Sequence, residues 1–245
     1  MFGFKENLPT DAFIRSFKTG IVIPEPSIHI CQLQFAISGY DDALFSTFAV
    51  EFPESLSSSV IKRRAEYLAG RVAAQTLLLK EGVSKKVTLS NDRSPKWPEG
   101  WRGSISHTEQ YALAVISPRP IGFMIGIDIE NLVPETMQST ADVFTTEKER
   151  NYLFNSGIDY HLALLIAFSA KESLYKALYP VVKFFFGFES AIITQINSQY
   201  NTFTLQLTRS LSTTFSAGEY FWGHYHFYDN KVTTLIYRHH DYTKN

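Results

Sequence analysis

The stretch from Tyr160 to Leu178 constrains this chain more than any other. Its spacing predicts a helix that is apolar on most sides, and Leu162–Phe168 carries no charge at all. Such a helix is stable only when other elements cover it, so the chain must fold around this segment. Pro180 is expected to stop it, since proline lacks an amide hydrogen and clashes with the preceding turn. Yet Lys171-Glu172-Ser173 interrupts the run, and Lys176 follows Glu172 by one turn on the same face. On an exposed helix that pair would be an ordinary salt bridge, worth little. In a helix that must be buried, ionic groups are costly unless they have a partner or a purpose.

A second long helix is predicted over Val60–Leu79. Ile61, Leu68, Val72, Gln75 and Leu79 keep helical spacing, four alanines fill in, and Gly82 ends it. Thr146-x-x-Glu149 fits a capping box and marks a further helix start. Strands are expected at Ser104–Ser106, Tyr111–Ser117, Phe123–Glu130, Ala191–Ile196, Thr202–Leu207, Tyr220–Tyr228 and Lys231–Tyr237, with short strands and turns over 21–50. Residues 91–103 read as a loop punctuated by Pro and Gly, and 131–141 as a polar connection. The order of strands, helix, strands, helices, strands suggests a rough duplication, a helix followed by a meander, twice.

The 245 residues allow one large domain or two small ones. Aromatic residues are abundant enough for a sizeable core and a stacking surface for a flat ligand. The formal charge of −1 gives no global basic excess, so nucleic acid is not an expected partner and any anion site must be local. Cys31 is the lone cysteine, which excludes an internal disulfide and multi-cysteine zinc sites. The N-terminus is acidic and lacks a long apolar core, unlike a signal peptide, and no apolar run is long enough to span a bilayer. A cytoplasmic protein is expected, and a peripheral membrane contact is compatible with these features.

Gly126-Ile127-Asp128-Ile129-Glu130 closes a predicted strand. Alternation places Asp128 and Glu130 on one face, with Ile127 and Ile129 on the opposite, buried one. Two adjacent carboxylates repel unless a positive group sits between them. A hard, oxygen-preferring cation such as Mg²⁺ suits that role, while a solvated sheet edge would produce the same pattern. If Glu172 and Lys176 join them, three carboxylates and a lysine form the usual equipment for phosphoryl chemistry. Anion contacts are offered by Arg63, Arg64 and Arg71 on the first long helix, where a merely solvated basic face is the other reading. Ser106 and His107 end a run of small residues and can both donate to a phosphate oxygen. Lys96 and Trp97 can set a cation and an aromatic plate near a base; Trp97 can equally be core.

Four motifs in order, KRRAEYLAGR (62–71), SPKWPEGWRGSISH (94–107), GIDIE (126–130) and FSAKESLYKA (168–177), resemble those of the 4′-phosphopantetheinyl transferases, most of all the enterobactin-synthase component D type within the surfactin-type class. The resemblance covers roughly residues 50–190. It implies an α/β (α+β) fold of two pseudo-symmetric lobes, each a small, mostly antiparallel sheet packed with a long helix, divided as 1–122 and 123–245, with the active site between them. The first lobe would supply coenzyme A contacts and the second the catalytic Mg²⁺ site.

The implied reaction moves the phosphopantetheine arm of coenzyme A, the co-substrate, to a serine of an apo carrier protein and releases adenosine 3′,5′-bisphosphate. By the same resemblance Asp128, Glu130 and Glu172 are the Mg²⁺ ligands, with Asp128 also among the coenzyme A contacts. Glu172 is the general base, directly or through water. Lys176 lies near the transferred phosphate, and Ser106 and His107 contact phosphate, His107 touching the 3′-phosphate. Arg64, Arg71 and Lys96 match cationic coenzyme A contacts. Ile129 replaces an acidic residue some relatives carry, so a water is expected at that coordination position. A monomer suffices, and an aryl, peptidyl or acyl carrier of an enterobactin-like siderophore pathway is the expected partner. The alternatives are a non-catalytic coenzyme A-binding protein of a carrier assembly and a Mg²⁺-dependent phosphohydrolase.

Overall fold

The computed structural model describes residues 1–7, 12–118 and 123–239. The chain divides into two compact units, Met1–Phe123 and Met124–Asn245.

In the first unit, strands β1 (Phe2–Asn7), β2 (Ile14–Val22) and β3 (Glu25–Phe35) form an antiparallel meander. The short helix α1 (Leu44–Thr47) precedes the long helix α2 (Ile61–Lys80). Two-residue strands β4 (Thr88–Leu89) and β5 (Pro95–Lys96) pair with each other. The hairpin β6 (Trp101–His107) and β7 (Tyr111–Pro118) completes a five-stranded sheet in the order β1-β2-β3-β7-β6. Helix α2 lies on β7, β3 and β6. Ala65, Ala69 and Ala73, one per turn and fully buried, let it approach closely, while Leu68, Leu77 and Leu78 fill the interface with Leu33 and Ile116. Gly82 adopts φ +75 just beyond the helix, a conformation only glycine takes freely.

In the second unit, β8 (Phe123–Asn131) is followed by α3 (Pro134–Phe144), α4 (Glu147–Phe154) and α5 (Tyr160–Val182). Strands β9 (Ala191–Asn197), β10 (Thr202–Leu207), β11 (Tyr220–Tyr228) and β12 (Lys231–His239) form an antiparallel meander, and β8 lies beside β12. The capping box at Thr146 is complete: its hydroxyl accepts from Glu149 N, and the Glu149 carboxylate accepts from Thr146 N. Helix α5 lies on β12 with α3 and α4 alongside, and Leu164, Leu165, Ile166 and Ala167 are wholly buried. The apolar helix is thus covered on several sides. Among the described residues no helix is long and apolar enough to cross a membrane.

Several expectations change. The "polar connection" at 131–141 is mostly α3, started by Pro134 in its first turn and held by Met137, Ala141 and Phe144, which share one face. Helix α5 continues through Pro180 to Val182 and ends only where Lys183 turns left-handed. The 91–103 loop contains β5 and the start of β6. The repeated helix-then-meander order holds only in the second unit. In the first, the meander precedes α2, and β8 joins the second sheet instead of extending β6 and β7.

Candidate active site

Alternation along β8 puts Gly126, Asp128 and Glu130 on the face that meets α5. A Cβ at Gly126 would fall 1.9 Å from the Ser173 carbonyl oxygen and 2.7 Å from Ala177 N, so strand and helix touch backbone to backbone there. Asp128 is consequently only 2% exposed, which rules out a solvated sheet edge. Ile127 and Ile129 are buried as well. Lys176 Nζ donates to Asp128 Oδ1 at 2.6 Å, and Ser169 Oγ donates to Oδ2 at 2.8 Å. Burial pushes the Glu130 carboxyl up to about 8; the Asp128 and Glu172 charges add to this and Lys176 opposes it. Glu172 is raised by burial and by Asp128, again against Lys176. Three carboxylates therefore lie within one another's fields and share one lysine.

That all-oxygen, net-negative donor set fits a hard divalent cation, whose charge would relieve the two raised carboxyls. As the side chains stand, no group of three His, Cys, Asp or Glu among the described residues is placed to hold a metal, and Lys176 occupies Asp128 Oδ1.

Lys171, next to Glu172, points elsewhere. Its Nζ donates to Glu149 Oε2 at 2.9 Å and to the Phe144 carbonyl at 2.6 Å, and Glu149 Oε1 accepts from Ile193 N at 2.7 Å. Burial lowers the Lys171 ammonium and the Glu149 charge works against that shift. This pair ties α3, α4, α5 and β9 together. A cavity of about 210 Å³ opens beside Glu172, walled by Leu174, Tyr175, Phe185, Phe186 and Ala191. The aromatic run Phe184–Phe188 was passed over in the sequence, although its position directly after the carboxylate-bearing helix was a usable signal.

The first unit holds the cationic groups. Arg63 Nη1 lies 3.0 Å from His107 Nε2, and His107 Nδ1 lies 3.7 Å from Glu66 Oε2. They border a cavity of about 260 Å³ that also meets Tyr67, Arg71 and Arg93. Arg71 is 5% exposed, stacks on Tyr67 at 4.8 Å, and its Nε and Nη1 have no hydrogen-bond partner among the described residues. It also borders a smaller cavity of about 120 Å³ with Gln75, Lys86 and Glu51.

The other cationic candidates behave differently. Arg64 donates to Asp42 Oδ2 at 2.7 Å and to the Leu56 carbonyl at 3.1 Å, and so clamps the 54–57 turn. The cavity face of α2 is 63, 66, 67, 70 and 71, so of the three expected arginines it takes Arg63 and Arg71 and leaves out Arg64. Lys96 is exposed on β5 and does not border the cavity. Trp97 packs with the first core, its ring 2.6 Å from where a Cβ on Gly103 would sit. Ser106 and His107 are neighbours on β6, so their side chains face opposite ways; Ser106 is buried and only His107 reaches the cavity. Their expected convergence on one phosphate through both side chains is corrected by that alternation.

Two family profiles match the chain: "4'-phosphopantetheinyl transferase N-terminal domain" over residues 52–117, and "4'-phosphopantetheinyl transferase superfamily" over residues 124–234. Enterobactin synthase component D of Salmonella typhi is 42% identical over 148 residues, which is 60% of this chain and 61% of that protein. The Escherichia coli (strain K12) protein of the same name is 43% identical over 117 residues, 47% of this chain and 55% of that one. The 4'-phosphopantetheinyl transferase Npt of Nocardia iowensis is 32% identical over 158 residues, 59% of this chain and 69% of that protein. The chain thus spans between 55% and 61% of the length of the two enterobactin synthase components.

Proposed function

The chain belongs to the 4′-phosphopantetheinyl transferase superfamily, and on that premise we propose that it transfers the 4′-phosphopantetheine arm of coenzyme A to a serine of an apo carrier protein. The observation that carries this reading is the grouping of Asp128, Glu130, Glu172 and Lys176 where β8 meets α5. A divalent cation held by the three carboxylates would neutralise pyrophosphate oxygens.

The protein's own groups then divide the work. Glu172, the one of the three carboxylates that borders the apolar cavity, takes the proton of the carrier serine. The serine oxygen bonds to the phosphorus that bears the pantetheine arm. The bridging P–O bond breaks, and its electron pair leaves on adenosine 3′,5′-bisphosphate. The Lys176 ammonium supplies charge to the leaving phosphate. In the first unit, Arg63, His107 and Arg71 take the 3′-phosphate end of the nucleotide; Arg71's unsatisfied donors favour an anionic guest. In the second, the apolar cavity beside Glu172 suits the uncharged arm or the residues flanking the carrier serine. The names of the Salmonella and Escherichia coli relatives point to a carrier of siderophore synthesis.

The test is to incubate the protein with coenzyme A, Mg²⁺ and an apo carrier domain, then weigh the carrier. A mass gain equal to one phosphopantetheine arm is expected, lost in Asp128→Ala and Glu172→Ala by roughly a thousandfold in rate. Carriers of the aryl, peptidyl and acyl classes that all stay unmodified, or full activity of either variant, would overturn the assignment.

A further inference from the structure

We propose that Ser173, Thr234 and Ser169 form a buried hydroxyl relay that fixes the orientation of the Asp128 carboxylate; this rests on the reading of Asp128 as a cation-holding group. None of the three touches substrate or metal in this account, so they are positioning residues.

All three side chains are 0% exposed. They lie where α5 crosses β12, the strand beside β8. Ser173 Oγ is 2.7 Å from Thr234 Oγ1 and 3.1 Å from the Thr234 carbonyl. Thr234 Oγ1 is 2.8 Å from Ser169 Oγ and donates to the Ser169 carbonyl, also at 2.8 Å. Ser169 Oγ is 2.8 Å from Asp128 Oδ2.

Each hydroxyl has one proton, which fixes the direction of the chain. An ionised carboxylate only accepts, so the Ser169 proton goes to Asp128. Ser169 Oγ then accepts from Thr234, whose proton is shared with the Ser169 carbonyl. Thr234 in turn accepts from Ser173. The Ser173 and Thr234 protons are each shared with a backbone carbonyl, of Thr234 and Ser169 respectively, while the hydroxyl-to-hydroxyl contacts line up toward Asp128 and polarise one another. Lys176 Nζ holds the other oxygen, Oδ1, at 2.6 Å. With each oxygen held by a different side chain of α5, the plane of the carboxylate cannot rotate freely.

The placement is unusual for helical serine and threonine, which more often bond back to the carbonyl four residues earlier. Alanine and valine would pack the same helix–sheet contact without burying polar atoms, a choice that avoids the desolvation cost of three hydroxyls. Retention of the hydroxyls is explained by the group at the end of the chain. Carboxylates that ligate a metal depend on such outer partners for orientation, and loss of one commonly weakens metal affinity by about 10- to 100-fold.

Three variants of the full chain test this: Ser169→Ala, Thr234→Val, and Thr234→Ser, which keeps the hydroxyl. Mn²⁺ binding is followed by electron paramagnetic resonance without coenzyme A, and KM is measured for Mg²⁺ and for coenzyme A separately. Ser169→Ala is expected to weaken Mn²⁺ binding about tenfold or more, Thr234→Val less, and Thr234→Ser hardly at all. KM for Mg²⁺ should rise while KM for coenzyme A stays put, a split that general loosening of the fold would not give. A crystal structure of Ser169→Ala should show the Asp128 carboxylate turned from its place. Unchanged Mn²⁺ affinity in both Ser169→Ala and Thr234→Val would overturn the relay, as would an Asp128 that stays in place. A wild-type chain that bound no Mn²⁺ would sink the metal reading of the site instead, and the position of Asp128 in Ser169→Ala would still decide the relay.

Discussion

Helices α2 and α5 each lay a long, mostly apolar face on a five-stranded sheet, and each carries charge into that face. In α5 the buried lysine is fully engaged: Lys171 meets Glu149 and the Phe144 carbonyl, and one turn on, Lys176 meets Asp128. In α2, Arg71 is just as deeply buried, yet two of its guanidinium nitrogens have no hydrogen-bond partner among the described residues, and the guanidinium lies over the Tyr67 ring. Unmet buried donors cost about 1–3 kcal/mol each, and a cation–π contact returns about 0.5–2 kcal/mol. The α5 pairs therefore hold scaffold and site in place, whereas Arg71 carries a debt that an anionic ligand can settle.

The largest effect expected is on the α5 side. Glu149→Ala leaves Lys171 buried without its carboxylate and Ile193 N without its acceptor. The loss should be about 3–5 kcal/mol, read as a fall of roughly 10 °C in melting temperature. Replacing both partners, Glu149→Leu with Lys171→Met, should recover the part that comes from the orphan charge, while Ile193 N still lacks its acceptor. A loss under about 1 kcal/mol in the single variant would mean that the pair is solvated, and the contrast with α2 would collapse.

Arg71→Met should do the reverse. It removes an unsatisfied buried cation and keeps the stem's packing against Tyr67, so the melting temperature should hold or rise. Affinity for adenosine 3′,5′-bisphosphate, titrated calorimetrically, should drop about 10-fold or more, the worth of one charged hydrogen bond. If Arg71→Met instead destabilised the fold and left nucleotide binding alone, Arg71 would be a scaffold charge like Lys171.

The two helices also differ in how much the sequence discloses. Helix α5 was readable, with its burial and the meaning of its interruption, because an all-apolar surface and a charged triplet conflict on any account of packing. Asp128 and Glu130 were readable because strand alternation is rigid. The same rule, applied one residue at a time to β6, would have separated Ser106 from His107. Arg64 and Arg71 could not be sorted from α2 alone: Arg64 is taken by Asp42 and the Leu56 carbonyl, which lie outside the helix, and helical spacing does not say which of the arginines faces inward. Helix α3 was lost for a similar reason. Its three core contacts are spaced for a helix, but Pro134, Thr136, Ser139 and Thr140 give the stretch a loop-like composition. The Glu149–Lys171 pair was hidden by Glu149's other role, since a capping-box glutamate already has a sufficient local explanation.

The smallest effect tests whether the second unit also keeps an unmet charge, of opposite sign to Arg71. Glu130 ordinarily titrates near 4.5 and in the fold is pushed up to about 8. Between those values the folded chain binds more protons than the unfolded one, so stability falls as pH rises. The penalty is absent below about 4.5 and fully developed above about 8, and Glu172, raised in the same direction, adds to it. The metal-free protein should therefore melt at a progressively lower temperature from pH 5 to pH 8, by roughly a few degrees, and Glu130→Gln should flatten part of that slope. Mn²⁺ should flatten it too, since a bound cation replaces the proton and its affinity then climbs with pH. A metal-free melting temperature that did not fall over this range would mean that Lys176 already balances the trio, leaving Arg71 as the chain's one unmet charge among those compared.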